Sequence, residues 1–261
     1  MGANLSELVA YLDARLRTAE IGDYPNALNG LQLQNGGGVT RIAAAVDASL
    51  STVEKAAAHG CDLLLVHHGL FWSGLQTVTG NRHRLFATAI RHNLAVYSAH
   101  LPLDTGEAGN NFLLAEALRF SAEELGAGGW TPFFPAKGTP IGCRVELARP
   151  ITRDELADRL SRALEGGLVR VCPGGPDRVQ KIGIITGGAG SEIRAVAGMG
   201  VDTLISGEGP HWTYALAEEV GANILYGGHY ATETFGVKAL AEHLGGEFGL
   251  PWEFIDHPTG L

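Results

Sequence analysis

The sequence predicts an α/β protein of two similar α/β domains, related by an internal duplication, with a C-terminal segment that returns to the first domain. Three observations support this prediction: a strand–helix–strand pattern, a second copy of that pattern, and a segment between the copies that is rich in Gly and Pro. The chain has 261 residues, which is enough for one large domain or two modest ones.

The first copy begins with a short apolar segment at residues 42–46, which predicts a buried strand. Asp47 and Ser49 are residue types typical of turns and helix N-caps, and the helix predicted over 51–60 ends on a glycine. Residues 62–66 are mostly apolar and predict a second buried strand. A strand, a helix and a strand in so short a segment indicate a βαβ unit with parallel strands.

The second copy lies at a constant offset, because residues 182–212 align with residues 42–72 without a gap. Identical residues occupy several aligned pairs of positions, among them Ile42 and Ile182, Gly60 and Gly200, Asp62 and Asp202, Gly69 and Gly209, and Trp72 and Trp212. The segment 126–140, dense in Gly and Pro, predicts a crossing between domains. We therefore predict a metal-binding first domain of residues 1–127 plus 223–261 and a second domain of residues 128–222.

Hydrophobic patterns predict the remaining elements. The N-terminal segment predicts an amphipathic helix with Leu8, Val9, Leu12 and Leu16 on one side. The other predicted elements are strands at 94–97, 142–147, 223–226 and 252–255, and helices at 111–118, at 152–164 with Thr152 and Glu155 as a capping box, and from near Thr232 through 235–244.

Composition and charge favour a soluble globular protein and disfavour two classes of partner. Hydrophobic residues make up 45% of the chain and charged residues 18%, which is ordinary for a folded soluble protein. The formal net charge is −9, without a run of Lys or Arg, so nucleic-acid binding is disfavoured. The N-terminal helix lacks the features of a signal peptide, and no apolar run approaches the roughly 20 residues of a membrane span.

The three cysteines are far apart in sequence and form no metal-binding or redox pair. Cys61 starts an apolar run and is expected to be a small buried residue. Reduced cysteines of this kind predict a cytoplasmic location.

His67 and His68 follow the predicted strand 62–66 directly and precede Gly69. In α/β sheets the functional crevice lies outside the carboxyl ends of the strands. Adjacent residues of an extended chain point to opposite sides, so we expect the two imidazoles to serve two neighbouring metal ions rather than one. The alternative is an ordinary pair of turn or surface histidines.

His100 and Asp104 lie beyond another predicted strand, 94–97. Pro102 predicts that the segment between them is not a regular helix. Asp104 is a candidate ligand because a carboxylate neutralises a divalent cation; alternatively it caps the helix at 111–118. For His100 three roles stay open: orienting other groups of the site, direct ligation, and a structural role.

His229 and Glu233 are four residues apart near the start of the last predicted helix. Side chains at this spacing project from one face of a helix, so the pair can hold one metal ion while the carboxylate bridges to a second. Gly227 and Gly228 would let the backbone come close to the site. Such pairs are also common on helix surfaces.

The candidate ligands together are His67, His68, Asp104, His229 and Glu233. Three imidazoles and two carboxylates without a thiolate suit Zn²⁺, Mn²⁺, Fe²⁺, Co²⁺ or Ni²⁺. Five side chains exceed the need of one open catalytic ion but suffice for two ions, with water completing the shells. We predict that His67 and His229 hold one ion, that His68 and Asp104 hold the other, and that Glu233 bridges them.

The second copy has Gly207 and Glu208 where the first has two histidines, so only one half is expected to hold the metals. Glu208 and His211 are weaker candidates that orient a ligand or contact substrate. The glycine-rich segment 186–190 is compatible with a phosphate-binding loop or with a plain turn. Residues 29–32 are compatible with two interpretations, a loop turn or a wall of the pocket.

These motifs resemble those of the GTP cyclohydrolase 1 type 2 homologues, a family with dinuclear metal centres and toroidal assemblies. They occur in the family's order and are Asn29-Gly-Leu-Gln32, His67-His68-Gly69-Leu-Phe-Trp72, His100-Leu-Pro-Leu-Asp104, residues 203–208 (TLISGE) and Gly228-His229-Tyr-Ala-Thr-Glu233. All five expected ligand positions match. The resemblance implies two divalent ions per subunit and a homohexamer, a trimer of dimers, with the metal sites facing an inner cavity.

The leading functional hypothesis is a metal-dependent hydrolase of a small molecule. Two ions would lower the pKa of a bridging water and stabilise a developing oxyanion. The resemblance implies GTP cyclohydrolase-like chemistry, and the same ligands suit phosphoester or amide hydrolysis. The alternative is a non-enzymatic, ring-shaped metal-binding scaffold or regulatory protein; a ring that threads nucleic acid is disfavoured by the negative charge.

Overall fold

The computed structural model describes residues 2–106 and 108–261 and shows a mixed α/β fold, as the sequence predicts. The chain forms two compact units. The first consists of Met1–Leu103 and Gly236–His257, and the second of Asp104–Phe235 and Pro258–Leu261.

Strands and helices are numbered along the chain. The strands are β1 (Ala3–Asn4), β2 (Gly30–Leu33), β3 (Gly38–Val39), β4 (Ile42–Asp47), β5 (Leu63–His68), β6 (Ala95–Ser98), β7 (Thr131–Ala136), β8 (Thr139–Thr152), β9 (Arg170–Pro173), β10 (Arg178–Ile184), β11 (Thr203–Ser206), β12 (Asn223–Tyr226) and β13 (Trp252–Phe254). The α-helices are α1 (Leu5–Leu16), α2 (Leu50–Ala58), α3 (Gly80–Arg91), α4 (Leu101–Asp104), α5 (Asn110–Ala117), α6 (Ala122–Leu125), α7 (Arg153–Ala163), α8 (Ile193–Gly198), α9 (Thr213–Val220), α10 (His229–Thr232) and α11 (Thr234–Phe248). Short 3₁₀ helices occupy Gly126–Gly128 and Ala189–Glu192.

The first unit contains a five-stranded sheet of order β13-β4-β5-β6-β2, in which all neighbours are parallel except β2 and β6. Strands β4 and β5 are almost continuously apolar and buried, as expected where helices cover a parallel sheet. Ser49 and Thr52 form a capping box that starts α2. Gly60, with φ +71, allows the turn after α2.

The second unit contains a six-stranded sheet of order β7-β8-β10-β11-β12-β9, with β10, β11 and β12 parallel and the outer pairs antiparallel. Leu204 and Ile205 are both fully buried but belong to different hydrophobic clusters. Because adjacent strand residues face opposite sides of a sheet, these clusters form the cores on its two faces.

The two βαβ segments that the alignment equates have the same strand register. Ile42 pairs with Leu63 between β4 and β5, and Ile182 pairs with Thr203 between β10 and β11. The alignment matches Ile42 with Ile182 and Leu63 with Thr203, so the two pairs are equivalent. The strand pairing therefore agrees with the alignment, while descent from a duplication stays a prediction.

The prediction of an inter-domain crossing at 126–140 is wrong, because β7 and the start of β8 form an antiparallel hairpin there. Pro132 and Pro135 are tolerated because β7 is the edge strand of its sheet. The loop residues Lys137 and Gly138 both have positive φ, 51° and 85°, which is typical of a two-residue hairpin turn.

The boundaries of the compact units also differ from those of the predicted domains. The second unit already begins at Asp104, because Leu114 and Leu118 pack with Val145 and Leu156 in its core. It extends to Phe235, past the predicted end of the second domain at residue 222.

Burial raises the pKa of the Cys61 thiol to about 12, as expected for a small buried residue. All three cysteines are buried and free of disulfides. Within residues 2–106 and 108–261, no helix is both long enough and apolar enough to cross a membrane.

Candidate metal centre

Three imidazoles lie together at the carboxyl ends of two neighbouring strands in the first unit. His67 and His68 are the last residues of β5, and His100 follows β6. All three side chains are buried, with exposed fractions of 8% or less. One ring nitrogen from each lies within 4.8 Å of the other two. A group of imidazole nitrogens at this spacing fits a divalent cation.

The rings of His67 and His68 converge, whereas alternation along an extended strand predicts that they point to opposite sides. The His67 Nδ1 bonds the carbonyl oxygen of Ala99, beyond β6, at 3.0 Å. The His68 Nδ1 bonds Asp47 Oδ1, on β4, at 2.9 Å. The two rings are thus tied to segments on opposite sides of β5, and their centroids nevertheless lie only 4.7 Å apart.

All three imidazoles are oriented through Nδ1. The Nδ1 of His100 bonds Asp23 Oδ1 at 2.8 Å, which completes a set of three oxygen partners: two carboxylates and one carbonyl. Carboxylate and carbonyl oxygens accept hydrogen bonds, so each Nδ1 carries a proton. The Nε2 atom of each ring is therefore the nitrogen suited to bind a metal, which is the usual arrangement of metal-ligating histidines.

Asp23 anchors the loop before β2 to the segment after β6. Its buried carboxylate accepts hydrogen bonds from the Nδ1 of His100, from the backbone N–H of Leu101 and from the side chain of Asn29. Burial by itself would raise the pKa of Asp23, but the hydrogen bonds of His100, Asn29 and the Tyr24 backbone, together with the charge of His100, outweigh it and lower this pKa. The Asn29 oxygen in turn accepts from the backbone N–H of His100 at 2.7 Å.

Gln32 holds the loop that follows His68. Its side-chain oxygen accepts from the backbone N–H of Leu70 at 2.6 Å, and its amide donates to the carbonyl of Ala27 at 2.9 Å. A Cβ at Gly69 would collide with the Gln32 amide. Asn29 and Gln32 thus brace the segments that carry the three imidazoles.

The second unit contains a histidine held between two carboxylates. His229, the first residue of α10, places Nε2 3.2 Å from Glu233 Oε2, as their i,i+4 spacing predicts. Its Nδ1 bonds Glu208 Oε1 at 2.8 Å. Burial would lower the pKa of His229, but the hydrogen bonds and charges of Glu233 and Glu208 outweigh it and raise this pKa to about 9. Protons therefore compete with any metal for this imidazole.

Two glycines allow the backbone to pass close to this histidine. A Cβ at Gly207 would lie 2.6 Å from the Cα of His229 and 2.7 Å from the carbonyl oxygen of Gly187. Gly187 has φ +68, and a Cβ there would collide with the Glu233 carboxylate. Close packing thus accounts for Gly187, one of the three glycines of segment 186–190.

Asp104 is the last residue of the short helix α4. The prediction that Pro102 prevents a helix here is wrong, because Pro102 lies in the first turn, where no backbone N–H is needed. The Asp104 carboxylate is buried and accepts a hydrogen bond from the side chain of Asn110 at 2.9 Å. Asp104 is not a helix cap, because Gly109 is the N-cap of α5.

Two carboxylates that orient the imidazoles were not predicted from the sequence, and one weaker predicted candidate is exposed. Asp47 ends β4, the parallel neighbour of β5, so the same edge rule that selects His67 could have found it. Asp23 gave no such signal, since it reaches His100 from a loop 77 residues earlier. His211 is exposed, and within the described part of the chain its side chain forms no hydrogen bond or ion pair.

Buried histidines with carboxylate partners at the strand ends of an α/β fold define a candidate metal-binding protein. Residues 3–259 match the family described as Duf34/NIF3 (NGG1p interacting factor 3). The chain therefore belongs to the Duf34/NIF3 family.

Curated relatives and a solved structure agree with this assignment. The chain is 42% identical over 257 residues to a GTP cyclohydrolase 1 type 2 homolog of Deinococcus radiodurans, covering 98% of this chain and 94% of the relative. It is 38% identical to the Halobacterium salinarum protein of the same name, covering 99% and 100%. The crystal structure of TTHA1606 from Thermus thermophilus is similar with a TM-score of 0.85 at 38% identity, covering 99% of this chain and all of that one.

Proposed function

We propose that this chain is a hydrolase that depends on two divalent metal ions held by His67, His68, Asp104, His229 and Glu233. The main support is the cluster of buried imidazoles in the first unit, whose Nδ1 atoms are fixed by oxygen acceptors and whose ring nitrogens lie within 4.8 Å of one another. The relatives' name, GTP cyclohydrolase 1 type 2 homolog, agrees with hydrolytic ring opening.

The five side chains fit two ions by charge as well as by donor type. Three neutral imidazoles and two carboxylates would offset half of the four positive charges, so the occupied site would attract anionic groups. Zn²⁺, Mn²⁺, Fe²⁺, Co²⁺ and Ni²⁺ suit this donor set. Once bound, such ions would supply an activated water and stabilise developing negative charge.

Each ligand has a proposed place. His67 and His229 hold one ion, His68 and Asp104 hold the other, and Glu233 bridges them. Asp47 and Glu208 keep His68 and His229 oriented through their Nδ1 atoms.

The groups beside the ligands are proposed to act on them or on a small-molecule substrate. His100 belongs to the same cluster and is fixed by Asp23 through Nδ1, so its Nε2 is the nitrogen suited to hydrogen-bond a substrate. His211 stays a weaker candidate for a substrate contact.

The assembly that the family resemblance implies, and the location and origin that the sequence predicts, are also proposed for this chain. They are a homohexamer built as a trimer of dimers, a cytoplasmic location, and two halves that arose by duplication, with the C-terminal segment returning to the first. Light scattering coupled to gel filtration measures the mass of the assembly, and a monomer or dimer would contradict the hexamer.

Elemental analysis of the purified chain by mass spectrometry tests the metal centre. We expect about two divalent ions per chain, in line with five ligands plus water. The variants His67→Ala, His68→Ala, Asp104→Asn, His229→Ala and Glu233→Gln are each expected to lose at least one ion. His83→Ala, which removes an exposed imidazole on α3, is the matched control and should keep both.

Hydrolysis is tested separately from metal content. The metal-loaded chain is assayed on GTP and on a panel of phosphoesters, amides and cyclic amides, against the chelator-treated chain. Turnover that needs metal and fails in Glu233→Gln supports the proposal. A metal-loaded chain inactive on the whole panel would instead favour a non-enzymatic metal-binding scaffold.

A further inference from the structure

Two aromatic side chains, Tyr24 and Trp72, adjoin the three-histidine cluster and are called here the aromatic wall. Trp72 stacks on His68, with ring centroids 4.9 Å apart and planes inclined by 27°, and its centroid lies 4.3 Å from that of His100. Tyr24 meets Trp72 edge-on at 6.3 Å and His100 at 5.9 Å. Both residues belong to the first unit.

We propose that the aromatic wall selects substrates that carry a planar heteroaromatic ring. The inference rests on the proposed function for the reaction that follows, but binding of the ring can be measured without turnover. The five proposed metal ligands do not distinguish a substrate with a ring from one without. The aromatic wall would add that specificity.

Tyr24 presents exposed aromatic surface beside the three-histidine cluster. Its side chain is 49% exposed although it touches a cluster of buried imidazoles. An aromatic surface beside a polar site gains free energy when a flat apolar ligand covers it. Stacking is also tolerant of ring type, since every heteroaromatic base presents a π-face.

The turn that carries Tyr24 is fixed by hydrogen bonds. The backbone N–H of Tyr24 donates to Asp23 Oδ1 at 2.7 Å, and its carbonyl accepts from the N–H of Ala27 at 3.0 Å. Asp23 is in turn bonded to His100. Because this turn is already fixed and the Tyr24 ring already contacts Trp72 and His100, stacking of a ligand costs little further conformational freedom.

The second βαβ copy has a tryptophan at the position equivalent to Trp72, but that tryptophan packs differently. Trp212 is the counterpart of Trp72, but it is 51% exposed, and within the described residues it forms no ring contact. The fold therefore accepts a tryptophan at this position without stacking it on imidazoles. The packing of Trp72 on His68 belongs to the copy that carries the candidate metal ligands.

Calorimetric titration of the metal-loaded chain with matched probes tests the proposal. The probes are guanosine, adenosine and cytidine monophosphates, compared with ribose 5-phosphate, which has the sugar and phosphate but no base. We expect at least one nucleotide to bind about tenfold more tightly than ribose 5-phosphate, the size of effect that base stacking gives. Similar affinities for all four probes would overturn the proposal.

Variants assign the preference to the wall. Tyr24→Ala is expected to remove most of the advantage of the base, and Tyr24→Phe, which keeps the ring, should retain it within about twofold. Trp72→Leu should also weaken nucleotide binding, and metal content measured on the same sample identifies a collapsed site. Ribose 5-phosphate should bind all folded variants equally; a Tyr24→Ala chain with undiminished base preference would contradict the assignment.

The outcome is distinguishable from that of the proposed function. A chain that prefers nucleotides through Tyr24 but holds no metal or hydrolyses nothing would refute the hydrolase and leave the ring preference standing. A metal-dependent hydrolase that binds nucleotides and ribose 5-phosphate equally well would support the hydrolase and refute the ring preference.

Discussion

The two βαβ segments of this chain have the same strand register and different chemistry at their strand ends. β5 ends with His67 and His68, both buried, whereas β11 is followed by Gly207 and Glu208. The backbone arrangement is thus repeated, but the imidazole doublet is not. Similarity at this level of the fold says nothing about function, which depends on the side chains at the strand ends.

The difference has a steric cause. In the second segment the backbone of His229 passes within 2.6 Å of the place where a Cβ of residue 207 would stand, so no side chain fits there. The next residue, Glu208, orients His229 through Nδ1, as Asp47 orients His68 in the first segment. Both segments therefore pair a carboxylate with an imidazole, but Asp47 ends β4, the first strand of its segment, whereas Glu208 follows β11, the second.

The largest expected effect comes from giving residue 207 a side chain. In Gly207→Ala the new methyl group must displace the His229 backbone or the Gly187 carbonyl. We expect a loss of about 3 kcal/mol or more in the free energy of unfolding, together with lost metal, because His229 moves. Urea denaturation and elemental analysis measure the two effects.

Gly198→Ala is the matched control for that substitution. Gly198 ends α8, and a Cβ there meets no atom within 4 Å, so we expect unchanged or slightly raised stability. Equal stability of Gly207→Ala and the wild type would contradict the steric explanation for the missing imidazole.

A smaller effect is expected from the two orienting carboxylates. Asp47→Asn and Glu208→Gln keep the size of each side chain but remove the charge that favours a protonated Nδ1. Substitutions of this kind beside metal-ligating histidines typically weaken metal binding by about tenfold to a hundredfold. Competition with a chromophoric chelator measures the dissociation constant of each variant.

Glu219→Gln serves as the control for charge removal, since Glu219 forms an exposed ion pair with Arg194. Its metal affinity should equal that of the wild type. If Asp47→Asn weakens metal binding and Glu208→Gln does not, the two carboxylates do not have the same role. Glu208 would then orient His229 only when no metal is bound.

Local signals made the first βαβ unit predictable from sequence. The strand predicted at 42–46 is Ile42–Asp47, and the one predicted at 62–66 is Leu63–His68. Fully buried apolar runs between turn residues leave little choice of structure. The edge rule for parallel strands then placed the candidate histidines where the structure has them.

The features that the sequence did not predict depend on distant contacts. Pro132 and Pro135 are as frequent in linkers as on edge strands, and only the pairing of β7 with β8 decides between them. The roles of Asp23 and Asn29 depend on His100, which lies more than 70 residues away. Neither the strand pairing nor the contacts of His100 produce a periodic pattern in the sequence.

The smallest expected effect concerns a position that the two segments share. Asp62 accepts hydrogen bonds from the backbone N–H groups of Thr40 and Arg41, and Asp202 accepts them from those of Gln180 and Lys181. Each carboxylate thus fixes the chain next to a parallel strand. Its role is structural, and neither side chain is a candidate metal ligand.

Asp62→Asn and Asp202→Asn should therefore each lower the free energy of unfolding by about 1 kcal/mol, because the amide keeps one acceptor oxygen and loses the charge. The two losses should be alike, and both variants should keep full metal content. Denaturation curves and elemental analysis of the pair check this expectation. Loss of metal in Asp62→Asn alone would show that metal binding in the first segment depends on the residue just before β5. The distinction between positions that both segments share for structure and positions that differ for function would then be wrong.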